Sequence, residues 1–162
     1  MTNGEATKAF VSRWFATGIG SPAGLEMVTD DFVWYGPPSM AEIFEGAGHE
    51  AVLRGKAGLS RLSYLDKALY ANYTAGGNHA NVHFIVAEDD ICVMAFDAAF
   101  TTHDGDSYHN QYCIVFRVRD GKIAEVREHA DTLYSHDVCM GTPEKRIGVL
   151  DRLARLRAGE NI

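Results

Sequence analysis

YHNQYCIVFRVRDGKIAEVREHADTLY, residues 108–134, reads as two long strands joined by a tight turn. Tyr108, Asn110, Tyr112, Ile114, Phe116 and Val118 alternate onto one face of the first strand. Asp120-Gly121 is the dipeptide that type I′ hairpin turns favour, because both central residues take positive φ. On the return strand Ala124, Val126, Glu128 and Ala130 share one face, and Glu125, Arg127 and His129 share the other. Glu128 is therefore a carboxylate on an otherwise small, apolar face.

Working outward, 162 residues with 46% hydrophobic content suit a single globular domain with a full core. A net charge of −7 argues against a nucleic-acid or anionic-membrane surface, since both need clustered Lys and Arg. The densest run of basic residues is instead EKRIGVLDRLARLR near the C-terminus, with five of the fifteen Lys and Arg. Cys92, Cys113 and Cys139 have neither paired spacing nor a Cys/His signature, so they read as reduced thiols and no metal is expected. MTNGEATKAF lacks a basic region followed by an apolar run, and no stretch approaches the length of a membrane span. The expected compartment is the cytoplasm.

Before the hairpin, Ala6, Phe10, Trp14 and Phe15 lie at helical spacing over about Glu5–Thr17, with Gly18 as a stop. Ser21-Pro22 opens a second short helix running to about Thr29. DFVWYGPP is a short strand ended by Gly36-Pro37-Pro38. The Gly-rich segment from Ser39 to Lys56 suggests a mobile flap with a turn or two of helix. Leu59, Leu62, Leu65 and Leu69 then form one stripe of a helix over about Gly58–Tyr70. Strands follow over His79–Glu88, Ile91–Thr102, Tyr108–Arg119 and Lys122 to about Tyr134. Thr142-Pro143 starts a C-terminal helix over about 142–158, an extension of the domain.

A strand of a dozen residues spans about 40 Å at roughly 3.3 Å per residue. A chain of this size has a radius of gyration of only about 15 Å. The strands must therefore bend, through twist and bulges, into a trough that the N-terminal helices cover. The expected architecture is α+β, a cone-shaped and strongly bent antiparallel sheet with an internal pocket suited to a ligand.

This order of elements, with DDFVWYGP, FEG, GKAGLSRL and the hairpin itself, resembles the nuclear transport factor 2-like superfamily, especially its SnoaL-like and ketosteroid-isomerase-like branch. The resemblance covers about Ala6–Tyr134 and implies the cone fold. It implies no single reaction, because isomerases, cyclases, dehydratases, epoxide hydrolases and binders resemble one another in this scaffold. Gly36 lies near the position of the ketosteroid isomerases' catalytic aspartate. Ala95, Asp97 and Glu128 match the Arg-x-Asp pair and last-strand aspartate of the limonene epoxide hydrolases, so both acids are present and the arginine is missing.

Two acids are the candidate catalytic residues. Asp97 shares its face with Val93, Ala95 and Ala99, where desolvation would raise its pKa into the range of a general acid or base. The alternative is an exposed or structural acid on the convex face. Glu128 would couple to Asp97 across the meander, or instead form a salt bridge with Arg127 or Arg117. Tyr108, Asn110 and Tyr112 form a row able to hold a carbonyl or hydroxyl oxygen. Trp14, Trp34 and Tyr35 are expected at the wall or mouth of the cone, where core packing would explain them equally. His79, His83, His109 and His129 fall on solvated faces, although a bulge before Asp131 would turn His129 inward and keeps it a substrate-binding candidate.

Without a phosphate loop, GxSxG elbow or Cys/His signature, no cofactor is expected. The sequence points to a cofactor-independent isomerase, cyclase or lyase moving protons on a small apolar carbonyl or cyclic compound. Its alternative is a non-catalytic ligand-binding or dimerisation module. In either case a homodimer through the outer sheet face is expected.

Overall fold

In the computed structural model, which describes residues 3–44, 51–74 and 79–162, the expected helices and strands follow in order, with a short strand at Val52–Arg54 and a helix at Thr132–Met140 besides them. Helices α1 (Asn3–Thr17) and α2 (Pro22–Glu26) lead into β1 (Val28–Tyr35). A 3₁₀ turn at Pro38–Met40 and the short β2 (Val52–Arg54) precede α3 (Gly55–Leu69). The meander is β3 (Ala80–Glu88), β4 (Ile91–Thr101), β5 (Ser107–Arg119) and β6 (Lys122–Ala130). Helices α4 (Thr132–Met140) and α5 (Pro143–Arg157) close the chain.

Local chemistry accounts for most of these boundaries. Ser21 caps α2 by accepting from the Gly24 amide, with Pro22 at the first turn. The β5–β6 turn has Asp120 at φ 53° and Gly121 at φ 71°, the two left-handed residues a type I′ turn needs. β1 begins earlier than expected, at Val28, which shortens α2 to Glu26. The last strand also stops earlier, at Ala130, and residues up to Met140 coil into α4. The cause is Asp131, whose carboxylate accepts from the Tyr134 amide at 3.0 Å and so caps a helix where a continued strand is expected. Of the flap expected over Ser39–Lys56, residues 45–50 lie outside the described residues.

The six strands form one mixed sheet in the order β2-β1-β6-β5-β4-β3. All described pairs are antiparallel except β1 with β6, where Trp34 aligns with Val126. Register shifts fall between Val82 and Phe84, between Arg117 and Val118, and between Val28 and Val33. Such bulges are the devices that let long strands curl. α1 packs on β3 and β4, α3 on β1 and β2, and α4 on β5, while α5 lies outside on α3 and α4. Burial therefore concentrates between the sheet's inner face and the helices, where Trp14, Trp34, Phe32, Phe116 and Val126 are inaccessible to solvent. No helix among the described residues is long and apolar enough to cross a membrane.

Gly36, directly after β1, sits where an added Cβ would lie 2.7 Å from the Phe44 ring. Gly36→Ala is expected to displace that ring and lower stability by about 1–3 kcal/mol. Urea denaturation checks this; an unchanged midpoint would mean that the ring yields freely.

Candidate functional site

The covered trough leaves a cavity of about 180 Å³ between α1, α3, α4 and the inner face of the sheet. Its walls are mainly aromatic and aliphatic, with Phe15, Trp34, Phe44, Tyr70, Phe96 and Phe100 among the lining residues. An apolar cavity of about 150 Å³ admits benzene. A ligand of one or two rings is thus the right scale.

Alternation brings Glu128 into this cavity, because β6 turns Val126, Glu128 and Ala130 inward opposite Phe116, Ile114 and Tyr112. Trp34 on the neighbouring parallel strand donates its Nε1–H to Glu128 Oε2 at 3.0 Å. Burial pushes the Glu128 carboxyl up to about 7, against the lowering effect of that hydrogen bond.

The second acid on the cavity is Asp66 of α3. Burial, and then repulsion from Glu128, push it up to about 7, while the Tyr73 hydroxyl donates to it and acts the other way. Both carboxyl groups are enclosed by protein yet open to the cavity, which explains their half-buried side chains. With Glu128 ionised, Asp66 resists giving up its own proton, so the two together carry less than two charges near neutral pH. Asp66 has a readable signal: it follows Leu62 by four residues and precedes Leu69 by three, so it breaks a leucine stripe as Glu128 breaks its strand face.

Beside Glu128, on the inner face of the neighbouring strand β5, stands a set of coupled hydroxyls. The Tyr108 and Tyr112 oxygens are 2.6 Å apart, and Tyr108 OH is 3.0 Å from Ser135 Oγ. Asn110 Nδ2, with two hydrogens to share among three acceptors, lies 2.9 Å from Tyr108 OH, 2.8 Å from Ser135 Oγ and 3.0 Å from the Asp131 carbonyl oxygen. Ser135 gives its own hydrogen to the Asp131 carbonyl. In this arrangement Tyr108 can donate to Tyr112 and leave the Tyr112 hydrogen free for the cavity. Burial, then Tyr108, then the Glu128 charge raise the Tyr112 phenol, so it stays a neutral donor. Asn110 lies behind the phenols, outside the cavity lining, where it orients Tyr108.

Several candidates point elsewhere. Asp97 faces the outer side of the sheet, since Met94, Phe96 and Ala98 take the inner one. Its Oδ1 is 3.0 Å from His83 Nε2, without hydrogen-bond alignment, and its Oδ2 is 3.6 Å from His109 Nε2. His83 beside it, with His109, holds the Asp97 carboxyl below its usual range, the reverse of the expected rise. The expectation fails because both faces of β4 are apolar. Tyr35 also faces outward, with the Arg127 guanidinium 4.3 Å from its ring centre. His129 is exposed on that face opposite Cys113, because no bulge intervenes before Asp131. Trp14 lies in the core, its Nε1–H bonded to the Gly24 carbonyl at 3.0 Å and its ring 6.0 Å from Phe116. Trp34, Tyr108, Tyr112 and Glu128 do line the cavity, as do Tyr70, Tyr73 and Ser135, which no pattern in the sequence singles out.

Residues 7–126 match the family model of the SnoaL-like domain. No curated protein matches the chain. Among solved structures, an NTF2-like protein of unknown function from Burkholderia pseudomallei aligns with a TM-score of 0.65 at 16% identity, over 86% of this chain and 99% of that one. A protein named as a candidate SnoaL-like polyketide cyclase from Jannaschia sp. CCS1 aligns at 0.67 and 15% identity, over 88% and 97%. TerC, crystallised with polyporic acid, aligns at 0.64 and 19% identity, over 82% and 97%. At these identities the structures speak for the fold alone, and they agree with the family match in doing so. The chain belongs to the SnoaL-like domain family, within the nuclear transport factor 2-like fold.

Proposed function

We propose that the protein is a cofactor-independent enzyme of the isomerase, cyclase or lyase type, moving a proton on a small apolar carbonyl or cyclic substrate. The observation that carries this reading is the acid pair, Asp66 and Glu128, facing an aromatic cavity with both carboxyl groups pushed up to about 7. Asp66 takes the part expected of Asp97. One ionised carboxylate removes a proton beside the substrate carbonyl, and the oxygen that gains charge accepts from Tyr112. The same acid, or its partner, returns the proton to a second atom. Acids poised near the working pH contribute about 10²–10⁴-fold. A pre-oriented donor to the oxyanion adds about 10²–10³-fold.

Deuterium uptake from D₂O at the α-carbons of cyclohexenone and 2-tetralone, followed by proton NMR, tests proton transfer without knowing the natural substrate. Uptake above buffer supports the reading. Binding of these ketones with no uptake would favour the alternative, a ligand-binding module without turnover.

We also propose a homodimer through the outer sheet face, where Phe84 and Val86 of the edge strand are 54% and 56% exposed. A monomer in sedimentation at micromolar concentration would contradict it. Cys92, Cys113 and Cys139 are free thiols, which supports a reducing, cytoplasmic setting.

A further inference from the structure

No lysine or arginine is among the described residues lining the cavity. The two internal stretches outside the described residues, EGAGHE at 45–50 and AGGN at 75–78, contain none in their sequence either. Among the described residues the only basic side chain on the wall is His79, between Thr74 and the Phe100 ring. Among the described residues the cavity wall thus holds two carboxyl groups, and the donors shown to reach them are neutral, Trp34 to Glu128 and Tyr73 to Asp66. Around them stand the π-faces of Tyr70, Phe96, Phe100 and Tyr112. A desolvated acid lacking a protein cation gains most from a cation brought by the ligand. Aromatic walls stabilise the same charge through their quadrupoles.

We infer that the cavity selects small cationic ligands, one- or two-ring amines whose ammonium lies against Asp66 and Glu128 with the ring held among the aromatic walls. This rests on the acid-pair reading of the same cavity and concerns which charge enters it, separately from turnover. Carboxylates and phosphates are rejected, because an anion there would meet like charge and, among the described lining residues, no lysine or arginine. Seating an ammonium lets both acids ionise, so binding releases a proton. Affinity for an amine therefore rises with pH through about 7, while the amine itself stays protonated. Tyr70, Tyr73 and Tyr112 are raised from their usual values and Cys139 to about 11, so these groups stay neutral over that range.

Isothermal titration of the full chain with benzylamine, benzyl alcohol and benzoate tests this. At about pH 7.5, benzylamine is expected to bind about tenfold more tightly than benzyl alcohol, and benzoate not to bind. Titrations in two buffers of different ionisation enthalpy should show proton release with benzylamine alone. The preference should fall toward unity in Asp66→Asn and in Glu128→Gln and persist in Asp97→Asn, whose carboxylate lies on the outer sheet face. Equal affinity for amine and alcohol, binding of benzoate, no amine binding at millimolar concentration, or a preference that survives in the double acid variant would each overturn the inference. Should a variant fail to fold, the pH dependence of amine binding to the unmodified protein decides: a rise through about 7 supports the inference and a flat profile overturns it. Ketone exchange without amine preference would sink this inference and spare the proton-transfer reading; amine preference without exchange would do the reverse.

Discussion

Glu128→Gln is expected to reduce enzyme-dependent deuterium exchange into a bound ketone by about 10²–10⁴-fold, the usual contribution of a positioned acid or base. The substitution keeps the shape of the side chain, and its amide oxygen can still accept from Trp34 Nε1. What it removes is the proton-accepting group. Asp66→Asn should fall in the same range if the pair shares the work, and less if Glu128 alone moves the proton. Tyr112→Phe should lower the rate by about 10²–10³-fold, since it deletes the hydrogen aimed at the developing oxyanion. Asp97→Asn provides the control: its carboxylate faces His83 and His109 on the outer sheet surface, so exchange should stay within about twofold. NMR initial rates measure all four. Loss of exchange in the Asp97 variant with retention in the Glu128 variant would reverse the assignment.

The same acids should weaken the fold at alkaline pH. Both carboxyl groups have folded-state values near 7, above those of the unfolded chain. For a carboxyl raised in this way the stabilising contribution is fully present below about pH 4 and is lost as pH rises through about 7. The neutral variants Asp66→Asn and Glu128→Gln should therefore match the parent in thermal stability at about pH 4 and exceed it at about pH 8. Removing one buried charge is worth on the order of 2 kcal/mol there, or about 4–8 °C in Tm for a chain of this length. A variant that is inactive yet more stable marks a residue kept for chemistry. Differential scanning calorimetry at the two pH values would contradict this if the parent were the more stable at about pH 8.

The hairpin was legible because two independent signals agreed on it. One was the period-2 alternation of Tyr108 to Val118, and the other was Asp120-Gly121 with its paired positive φ. Once that register was set, the inward aim of Tyr108, Tyr112 and Glu128 followed. Asp97 was misplaced because β4 carries Cys92, Met94, Phe96 and Ala98 on one face and Val93, Ala95 and Ala99 on the other. With both faces apolar, periodicity cannot choose between them. Tyr35 follows Trp34 on β1, and only the fold decides which of two neighbouring aromatics turns inward. Asp66 was readable at helical spacing beside its leucines, yet its importance comes from Glu128, 62 positions away along the chain. The parallel pairing of β1 with β6 is likewise a long-range fact that local pattern does not encode.

Everything proposed for the cavity depends on Asp66 and Glu128 sharing a desolvated space and titrating near neutrality. Carbon-13 NMR of the side-chain carboxyl groups, assigned with Asp66→Asn and Glu128→Gln, reads this directly as a function of pH. Two coupled transitions centred near 7 are expected, with the remaining acid in each variant shifting toward lower pH as its partner's charge is removed. Independent transitions for both groups in the ordinary carboxylate range near about 4 would contradict it.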